Sequence, residues 1–193
     1  MTQAAFVPTQ PAEHYHPSLR LRGQVIDLAH LDPFVFEAAS TKVPRPLRIN
    51  VRFTNHCFSE TFDPARHPAD APVILDGRRR RIFCPERYEL SHHLPDLIRG
   101  LAHPGARVHQ TAARRNWMYA ATVELSAAGT RYQIFFELRR ATPERRRLQD
   151  LDLVVESAYP ADPDRPSPNV LGRVSFLLLA GSLYAGKPVT TRR

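Results

Sequence analysis

Two cysteines, Cys57 and Cys84, are all that the 193-residue sequence contains. A disulfide framework is therefore excluded, and a reducing, cytoplasmic setting is expected. Glycine is also scarce, with 8 residues against 18 prolines, and neither G-x-x-x-x-G-K nor G-x-G-x-x-G occurs. That removes the backbone cradles by which kinase-like and Rossmann enzymes hold phosphates. No serine-hydrolase elbow is present, so acyl transfer is set aside as well. The longest apolar run, Val174–Ala180, is interrupted by Ser175 and is far too short to cross a bilayer. The first residues, MTQAAFVPTQPAEHYHP, lack a cationic segment followed by an apolar one, so no signal peptide and no membrane partner are expected.

Metal ligation is disfavoured by spacing. His56, Cys57, His67, Cys84, His92 and His93 lie near one another in the chain. They form no C-x₂-C, no paired H-x₃₋₅-H and no H-E-x-x-H. On a helix His92 and His93 would point roughly 100° apart. No metal and no other cofactor is expected, and both cysteines read as buried, unreactive residues.

What is present is positive charge. The formal net charge is +8 and nine histidines occur. Arginines cluster at 78–81, 114–115, 139–140 and 145–147. A chain with 42% hydrophobic and 24% charged residues can bury a core, so the charge belongs to a folded surface and makes RNA the expected partner. An acidic protein, or a cognate inhibitor, would suit the same surface.

Hydrophobic periodicity predicts an α+β domain over 19–193, preceded by an extended or disordered arm over 1–18. Leu47, Ile49, Val51 and Phe53 alternate with Arg48, Asn50 and Arg52, the pattern of a half-buried strand. Gln24–Leu28 could form a short strand, and Leu31–Phe36 reads as a turn. Val73–Phe83, with Asp76–Gly77 at its centre, reads as a β-hairpin bearing four arginines. Cys84–Tyr88 reads as a turn before one main helix, carried by Leu94, Leu97, Ile98 and Leu101 and starting near 92–94. Strands are then expected over 107–113, 117–125, 131–139 and 151–159, joined as an antiparallel β-meander of about four C-terminal strands. In the last of these Leu151, Leu153, Val155, Ser157 and Tyr159 would share one face. Val174–Ala180 reads as a final interior strand.

Two segments carry a family resemblance. Phe83–Cys84–Pro85–Glu86–Arg87–Tyr88, running into Ser91 and a helix, resembles the F-x-P-x-x-W/Y-s turn-helix of EndoU-type RNA endonucleases. Glu156–Ser157–Ala158–Tyr159–Pro160 resembles their terminal T-A-Y-P segment. The order of helix then antiparallel sheet is similar to the wider barnase, EndoU, colicin and RelE-like RNase group, many of them bacterial or phage toxins. The resemblance covers roughly 83–160 and implies that Ser157 and Tyr159 lie in the site. The family's histidine motif and lysine have no direct match; His56 is the nearest histidine, and Arg115 or Arg139 would replace the lysine.

The resulting expectation is metal-independent RNA cleavage by 2′-hydroxyl transesterification. Histidine can serve either proton transfer near neutrality, and arginine can clamp phosphate. His56 and one of His92 or His93 would be base and acid, with Ser157 and Tyr159 as positioning groups. Arg115 and Arg139, with Arg78 and Arg80 on the hairpin, would hold the substrate. Two other readings stay open: a non-catalytic nucleic-acid-binding module of the same fold, and a component that binds an acidic protein partner. Tyr159 could equally be a core or edge aromatic, and His56 an ordinary loop histidine.

Overall fold

The computed structural model describes residues 14–21, 23–68, 71, 73–111, 118–125, 130–162 and 169–189. Arg115, Trp117, the turn at 127–129 and most of the N-terminal arm lie outside the described residues. The chain opens with a hairpin of β1 (Leu19–Leu21) and β2 (Gln24–Ile26), followed by β3 (Phe34–Ala38) and β4 (Leu47–Phe53). A 3₁₀ turn at Asn55–Cys57 leads into β5 (Ser59–Thr61), β6 (Val73–Asp76) and β7 (Arg79–Phe83). Then come α1 (Pro85–Ser91), α2 (Leu94–Gly100), β8 (Arg107–Thr111) and β9 (Met118–Leu125). The chain closes with β10 (Thr130–Arg140), β11 (Leu151–Pro160), β12 (Val170–Ser175) and α3 (Phe176–Tyr184).

This is an α+β fold with mostly antiparallel sheets. The main sheet has seven strands in the order β12-β8-β9-β10-β11-β4-β3, and a smaller one has the order β5-β7-β6. Only β11 and β4 run parallel within the large sheet. No helix among the described residues is long and apolar enough to cross a membrane.

Four expectations are corrected. Among the described residues the single main helix is replaced by three. Cys84–Tyr88 is not merely a turn, because Pro85 occupies the first turn of α1, where its missing N–H is no loss. Val174–Ala180 is not a strand either: β12 ends at Ser175 and Phe176 begins α3. A short run apolar on all sides has no period to separate strand from helix, and the Leu- and Ala-rich FLLLAGSLY favours the helix. Leu31–Phe36 likewise contains the start of β3, paired to β4 through Phe34↔Val51 and Phe36↔Ile49.

The core lies on the face of the large sheet that α3 covers. Leu47, Ile49, Val51 and Phe53 of β4 are buried beside Leu151, Leu153 and Val155 of β11 and Tyr132, Ile134 and Phe136 of β10. Phe176 fills the space above them, stacked on Phe36 and edge-on to Phe136. Asp150 ties the edge of this layer. It accepts two bonds from Arg45, at 2.7 and 2.8 Å, and one from the Arg48 amide. The Arg45 guanidinium holds its carboxyl down to about 2.

One irregularity in β11 positions everything discussed below. Phe135 pairs with Ser157, but Phe136 pairs with Val155, which leaves Glu156 as an extra residue. This bulge breaks the period of two. Val155 and Ala158 are buried, while Ser157 and Tyr159 are not. The expected common face from Leu151 to Tyr159 is therefore wrong: Ser157 and Tyr159 are turned away from the core, and Tyr159 meets Arg87 of α1.

Close approach of α3 to the turn before β4 requires a glycine. A methyl group on Gly181 would lie 2.8 Å from Cβ of both Ser40 and Lys42. Gly181→Ala is expected to lower stability by about 1–3 kcal/mol through overpacking, read as a reduced urea midpoint with an unchanged slope.

Candidate functional site

The site is built where β4, the 3₁₀ turn, the β6–β7 hairpin, α1 and the bulged end of β11 meet. Thr54, the residue after β4, joins two of these. Its hydroxyl donates to the Glu156 carbonyl (2.7 Å) and accepts the His56 amide (3.2 Å). Its own amide donates to the Val155 carbonyl at 3.0 Å. One side chain thus caps the turn that carries His56 and secures the bulge that carries Glu156, Ser157 and Tyr159.

His56 reaches across to the hairpin. Its Nε2 donates to Asp76 Oδ2 at 2.8 Å. Asp76 is the last residue of β6, and Gly77, with φ of +59°, turns the chain back into β7. Burial pushes the His56 imidazole below its usual value; the Asp76 bond opposes that shift and the Arg81 charge reinforces it. The Asp76 carboxyl is lowered in turn by the bond from His56. A carboxylate accepting Nε2–H leaves the neutral ring with its lone pair on Nδ1, the arrangement of a general base oriented by an acid.

Arg87 of α1 connects this pair to β11. Its Nη1 donates to the carbonyls of His56 (3.1 Å) and Ser59 (3.0 Å), and its guanidinium carbon lies 5.1 Å from the centroid of the Tyr159 ring. Tyr159 stacks on Phe135 with centroids 5.4 Å apart. Arg81 is buried and donates through Nε to Ser59 Oγ and through Nη2 to Ser59 O. Glu156 is raised, first by burial and then by the like charge of Glu137, with Asp76 adding to it. A carboxyl with an elevated pKa and a histidine oriented by a carboxylate are the two kinds of group that acid–base catalysis uses.

The other expected residues are distributed differently. His92, at the end of α1, stacks on His30 with centroids 3.8 Å apart and meets Tyr88 edge-on. His30 donates to Ser91 Oγ at 2.7 Å, and burial with the neighbouring His92 lowers it to about 4. His56 instead bonds Asp76 on the hairpin. His56 and His92 therefore belong to separate clusters. His93 is exposed at the start of α2. Arg139 pairs with Glu137 on its own strand, so its charge is directed at the protein's own carboxylates. Arg78 is exposed in the hairpin turn, and Arg80 lies 4.3 Å above the Phe62 ring. The four arginines are not one solvated cluster, since Arg81 is inside. Arg115 lies outside the described residues. Cys57 is buried and its thiol is pushed up to about 12, which denies it a nucleophilic role. Among the described residues no group of three or more His, Cys, Asp or Glu side chains could hold a metal ion.

Sequence reasoning missed Thr54, Asp76, Arg87 and Glu156 as parts of one site. Arg87 and Glu156 stand inside the two segments singled out for their family resemblance. Asp76 was read only as half of a turn.

The family model matching this chain is that of the YjaZ family, over residues 17–184. The chain belongs to the YjaZ family. No curated protein and no solved structure matches it. Membership spans all the elements that build the site, from Thr54 to Tyr159.

Two outcomes are expected. Thr54→Val keeps the side chain's shape but removes both hydroxyl bonds. It should cost about 1–2 kcal/mol in urea unfolding and lower the exchange protection of the His56 amide. In an imidazole titration followed by NMR, His56 should titrate below the usual histidine value, and Asp76→Asn should lower it further because the favourable bond to the charged ring is lost. A rise in that variant would contradict the assigned pair.

Proposed function

We propose that this protein acts on RNA and cleaves it without a metal ion, by attack of a 2′-hydroxyl on the adjacent phosphate. The observation that carries the reading is the His56–Asp76 pair, joined through Arg87 to the Tyr159 ring. In this scheme His56 Nδ1 takes the 2′-hydroxyl proton as the 2′-oxygen bonds to phosphorus. The bond from phosphorus to the 5′-oxygen breaks, and Glu156, protonated, returns a proton to that oxygen. The products are a 2′,3′-cyclic phosphate and a free 5′-hydroxyl. Asp76 and Thr54 are positioning residues. Arg81 and Arg87 supply positive charge around the phosphorane, and Tyr159 on Phe135 offers a ring on which an unpaired base can stack. Glu156 thus takes the role expected of His92 or His93. The net charge of +8 supports the reading, as do the short resemblances at 83–91 and 156–160 to EndoU-type enzymes. Such small basic nucleases commonly serve as toxins or effectors.

A second reading, binding of RNA without cleavage, is favoured by one observation. Arg81, Arg87 and Arg139 all donate to groups of the protein itself, which limits what they can offer a phosphorane. Incubation with labelled tRNA in excess EDTA decides between the two. Cleavage leaving cyclic-phosphate ends, reduced about 10²–10⁴-fold in His56→Ala with an unchanged fold, is the expected result. A gel shift that fades with salt, with no cleavage, would favour the binding module. His56→Ala cleaving as fast as the wild type would remove His56 from the chemistry.

A further inference from the structure

Beside the His56–Asp76 pair the surface opens into a cavity of about 390 Å³, within the size range of small-molecule sites. It shares Asp76, the partner of His56, with the site already described, and Thr54 lines it as well. The opposite wall comes from the N-terminal arm. Asp32 accepts from the Tyr15 amide (2.9 Å) through Oδ1 and pairs with His14 Nδ1 (2.6 Å) through Oδ2. His16 Nε2 donates to the Phe53 carbonyl at 2.9 Å. These bonds fix three rings in succession: Tyr15 edge-on to His16 at 4.9 Å, and His16 edge-on to Phe58 at 5.1 Å. Leu75, which is 71% exposed, and Asn55 also line it.

Aromatic rings together with a carboxylate and an amide in one lining match one kind of ligand. We infer that this cavity receives a nucleobase of the RNA, stacked against the arm's aromatic wall and read on its edge by Asp76 and Asn55. The inference rests on the RNA reading above. A carboxylate has about four acceptor sites, and His56 uses one of those on Oδ2. The remaining sites accept but cannot donate, so Asp76 favours an exocyclic amino group, with its two N–H donors, over uracil, whose single N3–H is flanked by two carbonyl oxygens that repel a carboxylate. Coupling follows from the shared residue: seating the base places the attached ribose and phosphate beside His56. Tyr15 and His16 thereby turn the arm from a tail into part of the substrate site.

The test uses the full chain and calorimetric titration with the four nucleoside 3′-monophosphates, with ribose 5-phosphate as the control. Adenosine, cytidine and guanosine monophosphates should bind more tightly than uridine monophosphate, and ribose 5-phosphate least of all. Tyr15→Ala should weaken the nucleotides by about tenfold, the effect of losing one stacking ring. Leu75→Trp, which narrows the mouth, should weaken them as well; both residues are more than half exposed, at 51% and 71%, so the variants should fold. Ribose 5-phosphate binding as tightly as the nucleotides would overturn the inference, as would unchanged affinity in both variants. Equal binding of all four bases would overturn the part assigned to Asp76. If tRNA is cleaved while base-selective binding is absent, the cavity assignment fails and the nuclease reading stands. If base-selective binding occurs without cleavage, the cavity assignment stands and the nuclease reading fails.

Discussion

Everything in the site depends on the hydroxyl of Thr54. A β-bulge frees a backbone carbonyl from the ladder, and a buried carbonyl without a partner is costly. Thr54 Oγ1 satisfies the one at Glu156 while accepting the amide that begins the next turn. The bulge and the turn are therefore held together by a single oxygen. Without the bulge, Ser157 and Tyr159 would lie under α3 in the core. Without the turn, His56 would not reach Asp76.

Electrostatics around that oxygen are arranged in opposition. The interior side holds Glu156, which burial and then the charge of Glu137 raise. The hairpin side holds a carboxylate lowered by its histidine. Between them run two guanidiniums, Arg81 and Arg87, anchored on the carbonyls of Ser59 and His56. Anchored cations cannot swing away, so their charge acts at a fixed place. The same anchoring lets a strongly basic chain hold Arg81 inside its own fold.

How much of this was legible depended on the regularity of each segment. Leu47–Phe53 alternates without a break, is buried on one face only, and forms β4 over those same residues. The Asp76–Gly77 turn was legible because Gly77 takes a left-handed φ. The face of Tyr159 was not, because a period-two pattern assumes an unbroken ladder and Glu156 breaks it. α3 was hidden by being apolar all round. The partnership of His56 with Asp76 spans a proline-rich loop with no periodicity, so nothing local announces it. Arg87 was visible only as a letter in a short motif; its role comes from geometry that joins three elements distant in sequence.

The clamp of the arm on Asp32 has a practical side. Because Tyr15 and His16 line the cavity, the bonds that hold them belong to its shape. A shortened form of the protein beginning after His16 would lose two of its three rings and leave that side open. Trimming the N-terminus to tidy a preparation therefore changes the site, whereas no described residue of α3 lines it.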